Sequence, residues 1–474
     1  MLIQARQQRH RESELPQGFA IIVDVGKTLS KVSLWSRDGE MLDRVTRPNA
    51  AVELDGVRRL DADGIAQFVR NALAQLGSDT VQYIVPVAHG AAVAALDKGQ
   101  LVTAPLDYEQ ALPPELLADY RKARAPFAET GSPALPQGLN LGAQLWWLDR
   151  LHPAAMQSAT LLPWAQYWAW FLTGAAVSEV TSLGCHSDLW NPAERQFSTL
   201  ARRTGWAERF APLAKAGDVV GTLKPEIAAR SGLSRQVKVL AGLHDSNAAL
   251  LAARGCADIA DAEATVLSTG TWFVAMRSPQ EPINLAALPE ARDCLINVDV
   301  AGQPVPSARF MGGREVELLG QPFDWPSLDG IAQVLLDDTM VLPSQVPGCG
   351  PFPDSAGRLV NWPANPAARH AAVALYLALM ADVSLDLIGA RDRLLIEGRY
   401  AASALFTRAL AALRPHARLF TAAAEIDVSF GALRLVLPDL APRIDLNPVQ
   451  PLDTDLTAIR AKWHRTIAAF SQGA

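Results

Sequence analysis

The sequence predicts an α/β protein built from two related halves, and three observations carry that expectation. At 474 residues the chain is too long for a single hydrophobic core. Short, nearly continuous apolar runs rich in β-branched residues alternate with stretches of helical periodicity. A strand, a Gly/Thr turn and a second strand at residues 19–35 are echoed at residues 264–276. The echo divides the chain into an N-terminal extension over 1–17, a first domain over 18–242 and a second over 243–474.

Taken in order, residues 19–25 (FAIIVDV) read as a strand buried on both faces. The turn Gly26-Lys27-Thr28 follows, then strands over 31–35 and 41–45 in an antiparallel meander. Residues 63–76 have helical periodicity, and 81–87 form another buried strand that ends at His89-Gly90. From residue 140 the pattern is mostly helical, over 140–151, 164–172 and 195–206. A strand over 237–241 then runs into Gly242-Leu243-His244-Asp245 and a helix to Ala253. The second unit has strands at 264–267 and 272–276 around Ser268-Thr269-Gly270-Thr271. It is followed by a long apolar helix over 371–394, a strand into Glu397-Gly398, a helix over 402–413, and an amphipathic tail helix from Leu456.

Composition narrows the function classes. Net charge is −6 and the pI is about 5.8. A nucleic-acid partner is therefore excluded, because a phosphate backbone is bound by clustered Lys and Arg. One short basic cluster, Arg121-Lys122-Ala123-Arg124, does not change that reading. The four cysteines, at 185, 256, 294 and 349, lack CxxC spacing, so neither a zinc site nor a disulfide framework is expected and a reducing, cytoplasmic setting fits. The aromatic stretch over 161–174 is too short to span a bilayer, so it reads as a core helix and no membrane partner is expected. A homodimer stays open.

The chemistry lies at the strand ends. Gly26-Lys27-Thr28 imitates the end of a Walker A loop, but the required first glycine position is Ile21 and a strand follows Thr28 where a P-loop opens a helix. A phosphate-binding hairpin remains, in which Gly26 and Thr28 let backbone and hydroxyl approach phosphates and Lys31 adds a charge. Asp24 sits inside an apolar strand, where a bound Mg²⁺ would offset the cost of burying a carboxylate. The plainer alternative is an ordinary tight hairpin with a surface Asp and Lys. Thr269-Gly270-Thr271 would be its mate. Asp245 stands where a strand meets a helix. It is either part of a helix cap or the general base that phosphoryl transfer to a hydroxyl requires. His244 contacts a sugar or orients Asp245. His89, Gln144, His186 and Asp188 are further candidates for sugar contacts, with Trp146 or Trp147 as an apolar face.

With both hairpins and the His-Asp pair assembled, the chain resembles the FGGY family of carbohydrate kinases from Phe19 to Leu437. The resemblance implies two actin-like (ribonuclease H-like) domains flanking a central cleft, with ATP and Mg²⁺ as cofactors and a small sugar as partner. By position it implies that Asp245 is the base, and that Asp24 and Asp245 hold Mg²⁺. It further implies that Gly26, Thr28, Thr269, Gly270 and Thr271 face the phosphates, beside Lys31 and with Lys27 either adding a contact or pointing to solvent, while Glu397 and Gly398 open the adenosine pocket. His-Asp at the base position is most similar to the rhamnulose- and fuculose-kinase branches, hence a 6-deoxyketohexose as acceptor. Two departures are visible. Lys27 replaces a usual Thr, and Gly398-Arg399-Tyr400-Ala401 replaces a run of glycines, which leaves a catalytically weak sugar or nucleotide sensor as the rival reading.

Overall fold

The computed structural model describes residues 17–322, 327–422 and 426–471. Apart from Gln17, the N-terminal extension lies outside the described residues, as does part of the stretch leading into Asp427. The first sheet contains β1 (Gly18–Val25), β2 (Leu29–Ser36), β3 (Met41–Pro48), β4 (Tyr83–Ala88), β5 (Val219–Thr222), β6 (Lys238–Leu240) and β7 (Leu243–His244). Their order is 5-6-4-1-2-3, with β7 beside β4. Strand β1 is antiparallel to β2 and parallel to β4, a mixed pairing that only a crossover allows. The crossover is helix α1 (Ala62–Leu76), whose N-cap Asp61 accepts from the Gly64 amide.

Alternation along β1 explains its continuous apolar run. Ile21, Val23 and Val25 enter one core with α1, whereas Ala20 and Ile22 enter another on the opposite face. The segment between β4 and β5 carries helices α2 (Leu141–Leu151) and α3 (Trp164–Thr173). Trp164 and Trp168 of α3 are fully buried, so the aromatic stretch is a core helix. The expected helix over 195–206 is broken: Gln196–Phe197 pairs as a strand, and two short helices (Thr199–Arg203 and Trp206–Arg209) flank Gly205 at φ 72°.

Helix α4 (Asp245–Ala253) leads into the second sheet, made of β8 (Ala264–Thr269), β9 (Phe273–Ser278), β10 (Cys294–Val298), β11 (Pro304–Phe310), β12 (Arg393–Gly398), β13 (Arg418–Ala422) and β14 (Leu446–Pro448). Its order, 14-13-12-8-9-11-10, repeats the first sheet, and β8 is again antiparallel to one neighbour and parallel to the other. The helices here are α5 (Gly312–Leu318), α6 (Pro366–Leu387), α7 (Ala404–Leu413), α8 (Val428–Leu433) and α9 (Thr457–Ser471). Among the described residues α6 alone is long and apolar enough to cross a membrane. It runs through the second core, with 89% of its most apolar window buried.

The two sheets share one apolar cluster. Ala20, Ile22, Val85 and Val87 of the first meet Val266, Leu395 and Phe420 of the second through α4 and α8. Gly431 makes this close packing feasible, because a Cβ there would overlap the Ala248 carbonyl oxygen of α4. Helices α4 and α8 occupy corresponding places after β7 and β13, with Asp245 as the first residue of α4 and Asp427 as the N-cap of α8.

Candidate active site

The first hairpin opens on a recess of about 430 Å³ lined by Asp24, Gly26, Thr28, Lys31, Asp245 and Ser246, with Val428 of α8 at its edge. Cross-strand register puts Asp24 opposite Lys31, and their side chains form an ion pair at 3.4 Å. Asp24 is only 4% exposed. Burial pushes its carboxyl up to about 6, against the opposing pull of Lys31 and with a further push from the Asp245 charge. The turn is held from behind: the Gly26 amide donates to Leu29 O, and Asn49 Nδ2 donates to Gly26 O at 2.8 Å.

Asp245 is the first residue of α4, and His244 occupies the N-cap position without capping through its side chain. Asp245 is instead a partly exposed carboxylate in the first turn, its Oδ1 accepting from the Ser246 amide at 2.6 Å and from the Ser246 hydroxyl at 3.3 Å. His244 Nε2 lies 3.2 Å from Asp245 Oδ1. Burial lowers the basicity of that imidazole, so it is neutral near pH 7. Asn247 Nδ2 stands 3.4 Å from His244 Nδ1 and supplies a donor there, which leaves Nε2 to carry the hydrogen toward Asp245. The backbone of His244 is fixed as well, its amide donating to Thr181 Oγ1, which in turn donates to the buried Glu179.

The acceptor-side candidates separate into two kinds. His89 is 8% exposed, contacts the Gly90 carbonyl at 2.6 Å, and sits edge-on to Tyr108 with the Asp245 and Lys27 charges within reach. His186, at φ 38°, contacts Leu139 O at 2.8 Å. Gln144 is fully buried, with Nε2 donating to Ala91 O and Gly138 O, and its Oε1 has no hydrogen-bond partner among the described residues. Asp188 is otherwise committed. It is fully buried and accepts from Tyr120 at 2.5 Å and from Arg124 at 2.9 Å, so its oxygens hold the fold together. Lys27 turns away from the recess, donating to the buried Asp107 at 2.6 Å and lying 5.1 Å from the Tyr108 ring centre.

The second hairpin has the backbone of the first and a different use of its polar groups. Thr269 Oγ1 donates to Glu397 O at 2.5 Å and accepts from the Tyr400 amide at 3.0 Å. Ser268 donates to Glu397 Oε1 at 2.6 Å. The turn over Gly270 and Thr271 rests against Gly313 at the start of α5, and Thr271 is exposed. None of residues 269–271 lines the recess beside Asp245. Gly398 ends β12 at φ 82°, where a Cβ would overlap the Thr269 carbonyl, and Arg399–Ala402 continues as a 3₁₀ turn with Tyr400 packed on Phe273.

Sequence reasoning missed Asn49, Asp107, Asp427 and Arg309. Asp427 caps α8 through the Ser429 amide and pairs with Arg44 of the first sheet. Only the Asp-Val-Ser pattern before an apolar run was available to signal it.

These features define a two-domain phosphotransferase fold with a carboxylate at a helix start facing a Gly/Thr hairpin. Residues 114–252 match the model of the FGGY family of carbohydrate kinases, N-terminal domain, and residues 261–443 match that of carbohydrate kinase FGGY, C-terminal domain. The chain is 57% identical to a carbohydrate kinase from Novosphingobium aromaticivorans whose crystal structure superposes with a TM-score of 0.94, over 96% of this chain and 99% of that one. It therefore belongs to the FGGY carbohydrate kinases and is an enzyme that phosphorylates a sugar with ATP. It is also 26% identical to the L-fuculokinase of Escherichia coli (strain K12) over 330 residues, 65% of this chain and 67% of that enzyme. The xylulose kinase of Rhodospirillum rubrum, 18% identical with a TM-score of 0.77 over 96% and 98% of the two chains, shares the fold.

Proposed function

We propose that the acceptor is a 6-deoxyketohexose of the L-fuculose or L-rhamnulose type, phosphorylated on its terminal hydroxyl with Asp245 as general base. The observation that carries this reading is the shared recess: Asp245, Asp24, Lys31 and the Gly26–Thr28 turn all face one volume. The similarity to L-fuculokinase supports the sugar class. Phosphoryl transfer needs positioning, charge neutralisation and one acceptor for the hydroxyl proton. Asp245 accepts that proton while His244 Nε2 fixes its orientation at 3.2 Å. The turn amides and Lys31 receive the terminal phosphate, and the start of α4 adds the partial positive charge of a helix N-terminus.

A divalent cation fits here. Asp24 is a buried carboxylate with a single cationic neighbour, Lys31, and Asp245 lies on the same recess. Asp24 and Asp245 would hold Mg²⁺, which supplies charge neutralisation on the phosphates when bound.

Asp245→Asn keeps the shape of the side chain and removes its basicity. Turnover on the acceptor sugar should fall about 10²–10⁴-fold, the usual value of a positioned base, with affinity for metal-free ATP by calorimetry changed little. Near-wild-type ADP release from this variant would remove Asp245 from the role.

A further inference from the structure

Arg309 is the penultimate residue of β11, opposite Val274 and followed by the apolar Phe310. Its guanidinium stacks over the Trp272 indole at 4.8 Å, and Nε donates to Asp293 Oδ1 at 2.8 Å. The side chain is 16% exposed, yet only one of its five N–H donors is used: among the described residues its two terminal amino groups have no acceptor. Those donors are free to take acceptor oxygens of a ligand.

They face a cavity of about 420 Å³ whose walls come from both halves of the chain. Pro133, Pro136 and Leu139 form one side, and Trp272, Asp293 and Arg309 the other. That volume falls within the roughly 300–1,000 Å³ typical of small-molecule sites. The cavity adjoins the chemistry. Leu139 O contacts His186, His186 follows Cys185, and Cys185 Sγ lies 3.5 Å from His244 Nε2, the nitrogen that orients Asp245. The charge of Arg309 reaches this segment, since together with burial it holds the His186 imidazole neutral.

We propose that Arg309 determines acceptor specificity. Its two terminal amino groups bind a pair of adjacent oxygens on the end of a neutral sugar remote from the phosphorylated hydroxyl, with Trp272 against the C–H face. This rests on Asp245 marking the reacting end. The ligand is neutral because Asp293 already balances the guanidinium and Glu290, held by Arg124 at 3.1 Å, adds a second carboxylate to the wall. A sugar acid would find no unbalanced cation, and one excess negative charge where Arg124 serves both Glu290 and Asp188. The second half thereby reads the length of a sugar whose reacting end is set by the first, and a three-carbon acceptor would leave the guanidinium unfilled.

The test compares L-fuculose, L-rhamnulose, dihydroxyacetone and L-fuconate as acceptors, by ADP release from the full chain. Arg309→Met keeps the apolar stem on Trp272. It should lower the ratio of kcat/KM for the better ketose over dihydroxyacetone about tenfold or more, mainly through KM, and Arg309→Lys should fall between it and the wild type. An unchanged ratio in both variants, or L-fuconate outrunning the ketoses in the wild type, would overturn the proposal. If Arg309→Met melts early, Arg309→Lys carries the comparison alone. Failure of the base is read separately: Asp245→Asn at full turnover sinks that assignment, whereas an unchanged ketose ratio sinks only Arg309.

Discussion

The two hairpins share one topology and have opposite fates. In each, the last strand residue before the turn pairs with a parallel crossover strand, Val25 with Ala88 and Thr269 with Gly398. One position earlier, Asp24 and Ser268 occupy the same register. Asp24 keeps a buried carboxylate turned to an open recess, with one lysine as counter-charge. Ser268 and Thr269 use their hydroxyls on the Glu397–Tyr400 segment. The difference shows that a repeated backbone does not fix what its turns do. In the first copy the polar groups line an open recess, and in the second Ser268 and Thr269 brace the sheet while Thr271 stays exposed.

The largest effect should come from exchanging the register partners. Asp24→Asn should lower kcat/KM for Mg-ATP about 10²-fold or more, comparable with losing a preorganised electrostatic group, while Ser268→Ala stays within a few-fold. The pH profile sharpens this. With a folded value of about 6, Asp24 is ionised above that pH, so kcat/KM for Mg-ATP in the wild type should drop as pH falls through about 6, a limb absent from Asp24→Asn. Stability runs the other way. A carboxyl whose folded value lies above its unfolded one takes up protons on folding between them, so the contribution of Asp24, read as the difference between wild type and Asp24→Asn without ligand, falls as pH rises from about 4 to about 6. Equal losses in the two variants would erase the distinction between the hairpins.

Gly398 tests the braced copy. Its backbone, at φ 82° and ψ −165°, is a conformation that side chains rarely adopt, and the Thr269 carbonyl fills the place of a Cβ. Gly398→Ala should destabilise the chain by about 3 kcal/mol, read as a lowered melting temperature, with the hydrogen bond from the Tyr400 amide to Thr269 Oγ1 displaced. A variant that melts like the wild type would show that the second turn is not held by this contact.

What was legible in the sequence was local. The apolar run of β1, the Gly/Thr turns, the His-Asp strand end and the aromatic core helix all follow from patterns within a few residues. What was not legible was the partner of each polar side chain. Thr269 meets Tyr400 at a separation of 131 residues, and Lys27 meets Asp107 at 80. Asp188 could be read as a sugar contact or as a satisfied structural polar residue, and nothing near it in sequence names Tyr120 and Arg124 as the partners that close over it. Register and packing create these pairs, and no local spacing encodes them.

Lys27 gives the smallest and most discriminating test of that lesson. By position it belongs to the phosphate turn, yet its ammonium is 2.6 Å from Asp107, a fully buried carboxylate that also accepts from Arg58 at 2.8 Å. Burial alone would raise Asp107, but these donors hold its carboxyl below the ordinary range. Lys27→Thr removes one of two cations and leaves the other, so the cost should be about 1 kcal/mol, below the full penalty for an orphaned buried charge. If the ammonium serves Asp107 as the distances indicate, KM for Mg-ATP stays within about twofold of the wild type. A tenfold rise in that KM with unchanged melting would mean that Lys27 leaves Asp107 for the nucleotide, and that the first hairpin closes on its ligand by exchanging an internal ion pair for an external one.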